Sequence, residues 1–164
     1  SKLVTKSGHV VTWYTPLGLP VQQSYVKCDT DILQLRLCGS LKRIYSFKST
    51  GEIDKKKQAS AIAPNFIHSM DATHLMQTVL NSSKQGVAHF AMVHDSYGTT
   101  LADAQILYDT VRSTFCDMYN NNDVLANFRK DMEIYIKNPS KIPPVPTKGG
   151  LDLNTVKKSL YAFS

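Results

Sequence analysis

Phe90-Ala91-Met92-Val93-His94-Asp95-Ser96-Tyr97-Gly98-Thr99-Thr100 is the stretch on which the reading of this chain turns. An apolar run rises into a polar pair and falls back into Tyr and Thr. That is the pattern of a β-hairpin with His94 and Asp95 at its tip. A carboxylate on a tight turn is rigid and exposed, which suits it to ligate a metal ion. An ordinary surface turn carries the same residue types, so the string must be read with its surroundings.

On its N-terminal side the chain reads as helical. Glu52 to Ala63 form one predicted helix, stopped by Pro64, and a second opens at Asn65 and runs to about Ser82. His68, Asp71, Leu75 and Val79 share a face of that second helix, so a polar pair heads an apolar stripe. On the C-terminal side a helix starts near Thr100, where Thr100-x-x-Asp103 has capping-box spacing. Ala104, Leu107, Tyr108, Val111 and Phe115 recur at helical intervals and should face a core. A further helix covers about Val124 to Ile136. Pro139 to Gly150 is extended, and Asp152-Leu153-Asn154 opens a last short helix.

Residues 1–50 read as β structure. The runs are Val10 to Tyr14, Val21 to Val26, Ile32 to Leu37 and Leu41 to Phe47, with turn chemistry at Thr15-Pro16-Leu17-Gly18. The last two runs, joined at Gly39-Ser40, form a long hairpin whose polar and basic positions include Gln34, Arg36, Lys42 and Arg43.

A chain of 164 residues with 42% hydrophobic content can bury a real core. No run is long and apolar enough to span a membrane, and no signal-peptide pattern opens the chain. The first residue is not Met, consistent with a piece of a longer polypeptide or a processed one. Cys28, Cys38 and Cys116 are odd in number and include no CxxC pair, which argues against a disulfide framework and a zinc site and for a reducing compartment. Net charge is +6 and the pI about 9.2. Lys42, Arg43, Lys48, Lys55, Lys56 and Lys57 crowd one segment. They suit either a phosphate-tracking surface or a plain solvated face.

Several chemistries are excluded. His94, Asp95 and Ser96 are adjacent, so their side chains diverge and cannot form a hydrolase triad. There is no GxSxG and no GxxxxGK[ST]. His68, Asp71 and His74 are spaced poorly for a local zinc site. Asp95 as a Mg²⁺ ligand fits better, because Mg²⁺ takes one or two carboxylates and fills its shell with water and phosphate oxygens. Two-metal phosphoryl transfer needs a second carboxylate from another segment. Asp71 is the best internal candidate, although a structural hydrogen bond or helix-face role suits it better.

Two segments together resemble the single-subunit DNA-directed RNA polymerases of phages and mitochondria. Ala63-Pro64-Asn65-Phe66-Ile67-His68-Ser69-Met70-Asp71-Ala72-Thr73-His74 is similar to a signature helix of that family. Val93-His94-Asp95-Ser96-Tyr97-Gly98-Thr99 is similar to its palm hairpin. Trp13-x-Thr15-Pro16-x-Gly18-x-Pro20-Val21 resembles the approach to the family's promoter-reading hairpin. Lys148 to Leu153 and Tyr161 to Ser164 resemble its C-terminus. Family A DNA polymerases also carry a His-Asp hairpin, but typically with Glu where this chain has Ser96. Mitochondrial members usually have Trp at the position of Gly98, so Gly98 is phage-like.

The resemblance implies an α+β fold: the C-terminal palm and fingers portion of a right-hand polymerase, with an N-terminal β-hairpin region followed by helices around a short palm hairpin. Its parts would be a β region over 1–50 with the specificity hairpin, helices and palm hairpin over 51–137, and an extended foot over 138–164. Asp95 would hold catalytic Mg²⁺, His94 would flank it, and His68 would monitor the substrate ribose beside the nascent base pair. Gln34, Lys42 and Arg43 would read the promoter, and Phe163 and Ser164 would form the foot near the active site. Partners would be a DNA template and promoter, nascent RNA, nucleoside triphosphates and the remainder of the polymerase. The family's first palm aspartate and its nucleotide-binding helix have no counterpart here, so the chain alone should be inactive. Its place would be the cytoplasm of an infected host, or else a mitochondrion. The alternatives are a non-catalytic nucleic-acid-binding module with the same fold and a basic scaffold without metal.

Overall fold

The computed structural model of the chain describes residues 1–136, 138–159 and 161–163. Lys137, at the end of the expected helical segment, and Ser164, expected in the foot, lie outside the described residues. The described part is a mixture of helices and small antiparallel two-stranded sheets. This agrees with the α+β expectation at the level of class.

The chain opens with a short helix, α1 (Lys2–Lys6), where the sequence suggested only β structure. Strands β1 (Val11–Tyr14) and β2 (Pro20–Gln23) pair antiparallel, Val11 opposite Gln23. Val4, Val11 and Trp13 are buried with Met132, and Val21, Ile62, Phe66, Phe128, Tyr135 and Ile136 pack around them. The Trp13, Phe66 and Phe128 rings meet at tilted or edge-on angles, with centroids 4.9–6.0 Å apart. Trp13 Nε1 also donates to Ser69 Oγ at 3.0 Å, so the indole's polar edge is satisfied inside the core.

The run expected from Val21 to Val26 is broken at Ser24-Tyr25. After the break, β3 (Val26–Leu37) and β4 (Ser40–Ile53) form a long ribbon. Its turn is Cys38-Gly39, one residue earlier than expected, with φ 49° and 80°. Positive φ at both central residues marks the tight turn whose twist matches paired strands. β4 also runs past Gly51. The register slips between Val26 and Cys28, and Gly51 (φ 74°) lies within the extra length of β4 there. Every residue from Val26 to Glu52 is exposed. At the ribbon's root, Asp54 N donates to the Tyr25 carbonyl at 3.0 Å, Asn65 Nδ2 to the Tyr25 hydroxyl at 3.0 Å, and Gln58 Nε2 to the Gln23 carbonyl.

One helix, α2 (Lys55–Lys84), replaces the two expected on either side of Pro64. Asp54 caps it, its Oδ1 accepting from Lys56 N and Lys57 N at 3.0 Å. Pro64 lies inside and removes one backbone donor, but its ring is on an exposed position, and the packing of Phe66 and Ile62 on either side carries the helix through. The buried residues of α2 include Ser69, Thr73, His74, Thr78 and Ser82, not the stripe expected from Leu75 and Val79. Small hydroxyl side chains let α2 approach α3 (Ala104–Asn121), and Thr73 and Ser69 donate back to main-chain carbonyls at 2.7 Å.

Strands β5 (Ala91–Val93) and β6 (Ser96–Gly98) form the expected short hairpin. Thr100 Oγ1 donates to Asp103 Oδ2 at 2.9 Å ahead of α3, using the two residues of the expected capping box in a different bond. α4 (Val124–Glu133), capped by Asp123, ends three residues short of the expected Ile136, and α5 (Asn154–Lys158) is the expected last helix. Among the described residues, no helix is long and apolar enough to cross a membrane.

Candidate active site and nucleic-acid interface

The β5–β6 hairpin carries only two residues in its turn, His94 and Asp95, because Val93 pairs directly with Ser96. His94 sits at φ 52°, a conformation that costs a non-glycine residue of order 1–2 kcal/mol. Strain of this kind needs support from the surrounding fold. Gly98 gives some of it. A Cβ there would lie 3.1 Å from the Ala91 carbonyl oxygen, so the lack of a side chain lets the two strands close. His94 and Asp95 are both exposed.

Asp95 opens into a cavity of about 700 Å³, lined also by Asp71, His74, Tyr97, Arg112, Phe115 and Phe163. The cavity thus brings together the hairpin tip, the middle of α2, one face of α3 and the C-terminal segment. Its two carboxylates, Asp71 and Asp95, come from different elements and offer hard oxygen ligands of the kind Mg²⁺ prefers. By residue type the pair would suit one divalent cation whose remaining positions are filled by water or phosphate oxygens. His68, Asp71 and His74 make no zinc cluster; among the described residues no group of three or more potential ligands could hold a metal.

His74 is tied through both ring nitrogens. Its Nε2 donates to the Val111 carbonyl at 2.9 Å, and since a carbonyl can only accept, Nε2 carries the proton. Nδ1 then accepts from the Tyr97 hydroxyl at 3.0 Å. The ring packs against Tyr97, Phe115 and Phe163 at centroid distances of 5.4–5.6 Å. Burial pushes the His74 pKa below its usual value, opposed by the Val111 bond and the charge of Asp71. Burial raises Tyr97 and Tyr119, and Asp71 adds to both.

Arg112, which carried no expectation from sequence, is buried behind the same cavity. It donates to the carbonyls of Ser159 (3.3 Å), Tyr108 (3.2 Å) and Phe163 (3.2 Å), and its guanidinium lies 3.4 Å from the Tyr108 ring centroid. The arginine pins the C-terminal segment onto α3 and so sets Phe163 in the cavity wall.

The remaining expected residues lie elsewhere. His68 is exposed on α2, on the side of Asp71 and away from His74, and does not line the cavity. Gln34, Lys42 and Arg43 are all on the ribbon, but not on one face. Gln34 pairs with Arg43, and Lys42 pairs with Leu35. Because side chains alternate along a strand, Lys42 projects from the opposite face.

A sequence profile described as DNA-dependent RNA polymerase matches residues 2–142. The DNA-directed RNA polymerase of Enterobacteria phage T3 is 41% identical over 170 residues, covering 100% of this chain and 19% of that protein. T7 RNA polymerase of Escherichia phage T7 is 41% identical over 159 residues, 94% of this chain and 18% of that protein. DNA-directed RNA polymerase 1, mitochondrial, of Arabidopsis thaliana is 32% identical over 167 residues, 100% of this chain and 16% of that protein. The chain therefore spans about a fifth of the length of these phage relatives.

Proposed function

The chain belongs to the DNA-dependent RNA polymerase family, and from that membership we propose that it is the C-terminal palm and fingers portion of a phage-type RNA polymerase. The complete enzyme joins an RNA 3′-hydroxyl to the α-phosphate of a nucleoside triphosphate on a DNA template and releases pyrophosphate. The observation that carries this reading is the Asp95 carboxylate, held at the tip of a two-residue turn and opening into the cavity it shares with Asp71. Mg²⁺, when bound, lowers the pKa of the attacking hydroxyl and neutralises charge on the leaving pyrophosphate. Asp95 holds the metal, and His94 flanks it and shapes the turn. His68 faces the substrate ribose. Gln34, Lys42 and Arg43 read the promoter from the ribbon, whose full exposure leaves it free to enter a groove. The rest of the polymerase, in the same or another polypeptide, supplies the further carboxylate and the nucleotide-binding helix. Higher identity to the phage proteins than to the mitochondrial one supports a phage-type enzyme acting in the cytoplasm of an infected cell.

The test is templated nucleotide incorporation. The purified chain alone should incorporate nothing, and the complete polymerase carrying it should extend RNA in the presence of Mg²⁺. Incorporation by the chain alone, or a complete polymerase indifferent to Asp95→Asn, rejects this reading.

A further inference from the structure

We propose that His74 is a positioning residue for the catalytic hairpin: its ring ties Tyr97, and with it the turn that carries Asp95, to α3 and to the C-terminal segment. The inference rests on the reading of Asp95 as a metal ligand and adds the device that holds it in place.

A hairpin with three-residue strands is not stable by itself. This one also carries a left-handed His94 at its tip, so its geometry must be imposed from outside. Tyr97 provides the handle. It lies two residues beyond Asp95 on β6, and its hydroxyl reaches His74 Nδ1 at 3.0 Å. His74 cannot swing to follow it, because its other nitrogen donates to the Val111 carbonyl at 2.9 Å. The ring also packs in a three-way cluster with Phe115 and Phe163, which touch each other, and Arg112 fixes Phe163 through its carbonyl. Three elements distant in sequence thus converge on one imidazole. The neutral, Nε2-protonated ring that burial favours is the form this arrangement requires: a charged ring would have no lone pair for the Tyr97 proton.

The test uses the complete polymerase with Tyr97→Phe, His74→Gln, His74→Asn and the Tyr97→Phe/His74→Gln double variant. Asn keeps an acceptor at the Nδ1 position, whereas Gln keeps only the donor near Nε2. Two quantities are read: the Mg²⁺ concentration giving half-maximal rate, and hydrogen exchange of the residue 91–98 amides in metal-free enzyme. Tyr97→Phe and His74→Gln should each raise the Mg²⁺ requirement by about three- to tenfold, as expected for loss of one hydrogen bond. The double variant should add nothing further, His74→Asn should lie nearer the parent, and nucleotide KM should stay within about twofold. Exchange should quicken in the same variants. Multiplicative effects in the double variant, or faster exchange with an unchanged Mg²⁺ requirement, overturn the proposal. Tyr97→Phe removes one oxygen only and keeps the test decisive should the His74 variants fail to fold. Asp95→Asn run in parallel reports on the metal-ligand reading by itself, since the exchange measurement needs no metal.

Discussion

Gln34 and Arg43 face each other directly across the ribbon, while Lys42, one residue away from Arg43, pairs with Leu35 and points to the other side. A flat face cannot present all three to the same base pairs. Gln34→Ala and Arg43→Ala should each weaken promoter binding by about 1–3 kcal/mol at one base position, leaving random DNA little affected. As neighbours, the two should be non-additive. Lys42→Ala should add to either of them. Binding of the complete polymerase to matched templates with single base changes measures this. Unchanged selectivity with all three replaced would end the promoter-reading role of the ribbon.

Asp95→Asn should lower the rate of nucleotide incorporation by orders of magnitude and leave DNA binding within about twofold, because it removes a metal ligand and no phosphate contact. Near-normal turnover at saturating Mg²⁺ contradicts the assignment.

His68→Ala should retain polymerisation but narrow the preference for ribonucleotides by about fivefold, the worth of roughly one hydrogen bond. The ratio of kcat/KM for ribo- and deoxyribonucleotides is the readout. An unaltered ratio means that the exposed His68 does not meet the sugar.

Trp13→Ala should destabilise the fold by about 3–5 kcal/mol, as for other buried large aromatics. Trp13→Phe should cost less but leave Ser69 Oγ without its donor, for about 1–2 kcal/mol. Urea unfolding followed by circular dichroism separates the two.

The buried His74 makes stability depend on pH in one direction. Its folded pKa is depressed below the ordinary 6.5, so as pH falls past that value the unfolded chain takes up a proton that the folded chain refuses. This contribution is intact above pH 6.5 and is lost as pH drops through the folded value. The groups facing the ring are Asp71, the Tyr97 hydroxyl and the Val111 carbonyl; the Val111 bond and, less, the charge of Asp71 oppose the loss. His74→Gln should flatten the decline of stability between neutral and mildly acidic pH. An unchanged pH slope would show that His74 is not the titrating group.

Both hairpins could be read from sequence because they rest on local signals: apolar runs, turn residues, alternation. The long α2 could not, because Pro64 is a local signal that tertiary packing of Ile62 and Phe66 overrides. Its buried face escaped notice for another reason. Ser69 is buried under Trp13, and Thr73, Thr78 and Ser82 are buried further along the helix; hydroxyl residues leave no mark in a hydrophobic pattern. Asp95 stood out because its turn announces it. His74 was visible only as an imperfect metal ligand, and Arg112 not at all, since a charged side chain defaults to the surface until its carbonyl partners are known.

The complete exposure of Val26 to Glu52 has an evolutionary side. Substitutions away from buried features usually change stability by less than about 0.5 kcal/mol. The ribbon can therefore accept new side chains at almost every position while the Trp13 core and the Asp95 hairpin go undisturbed. Under the proposed reading, a lineage could drift to a new promoter by rewriting this one arm, and could exchange the arm between relatives as a cassette without refolding the machine behind it.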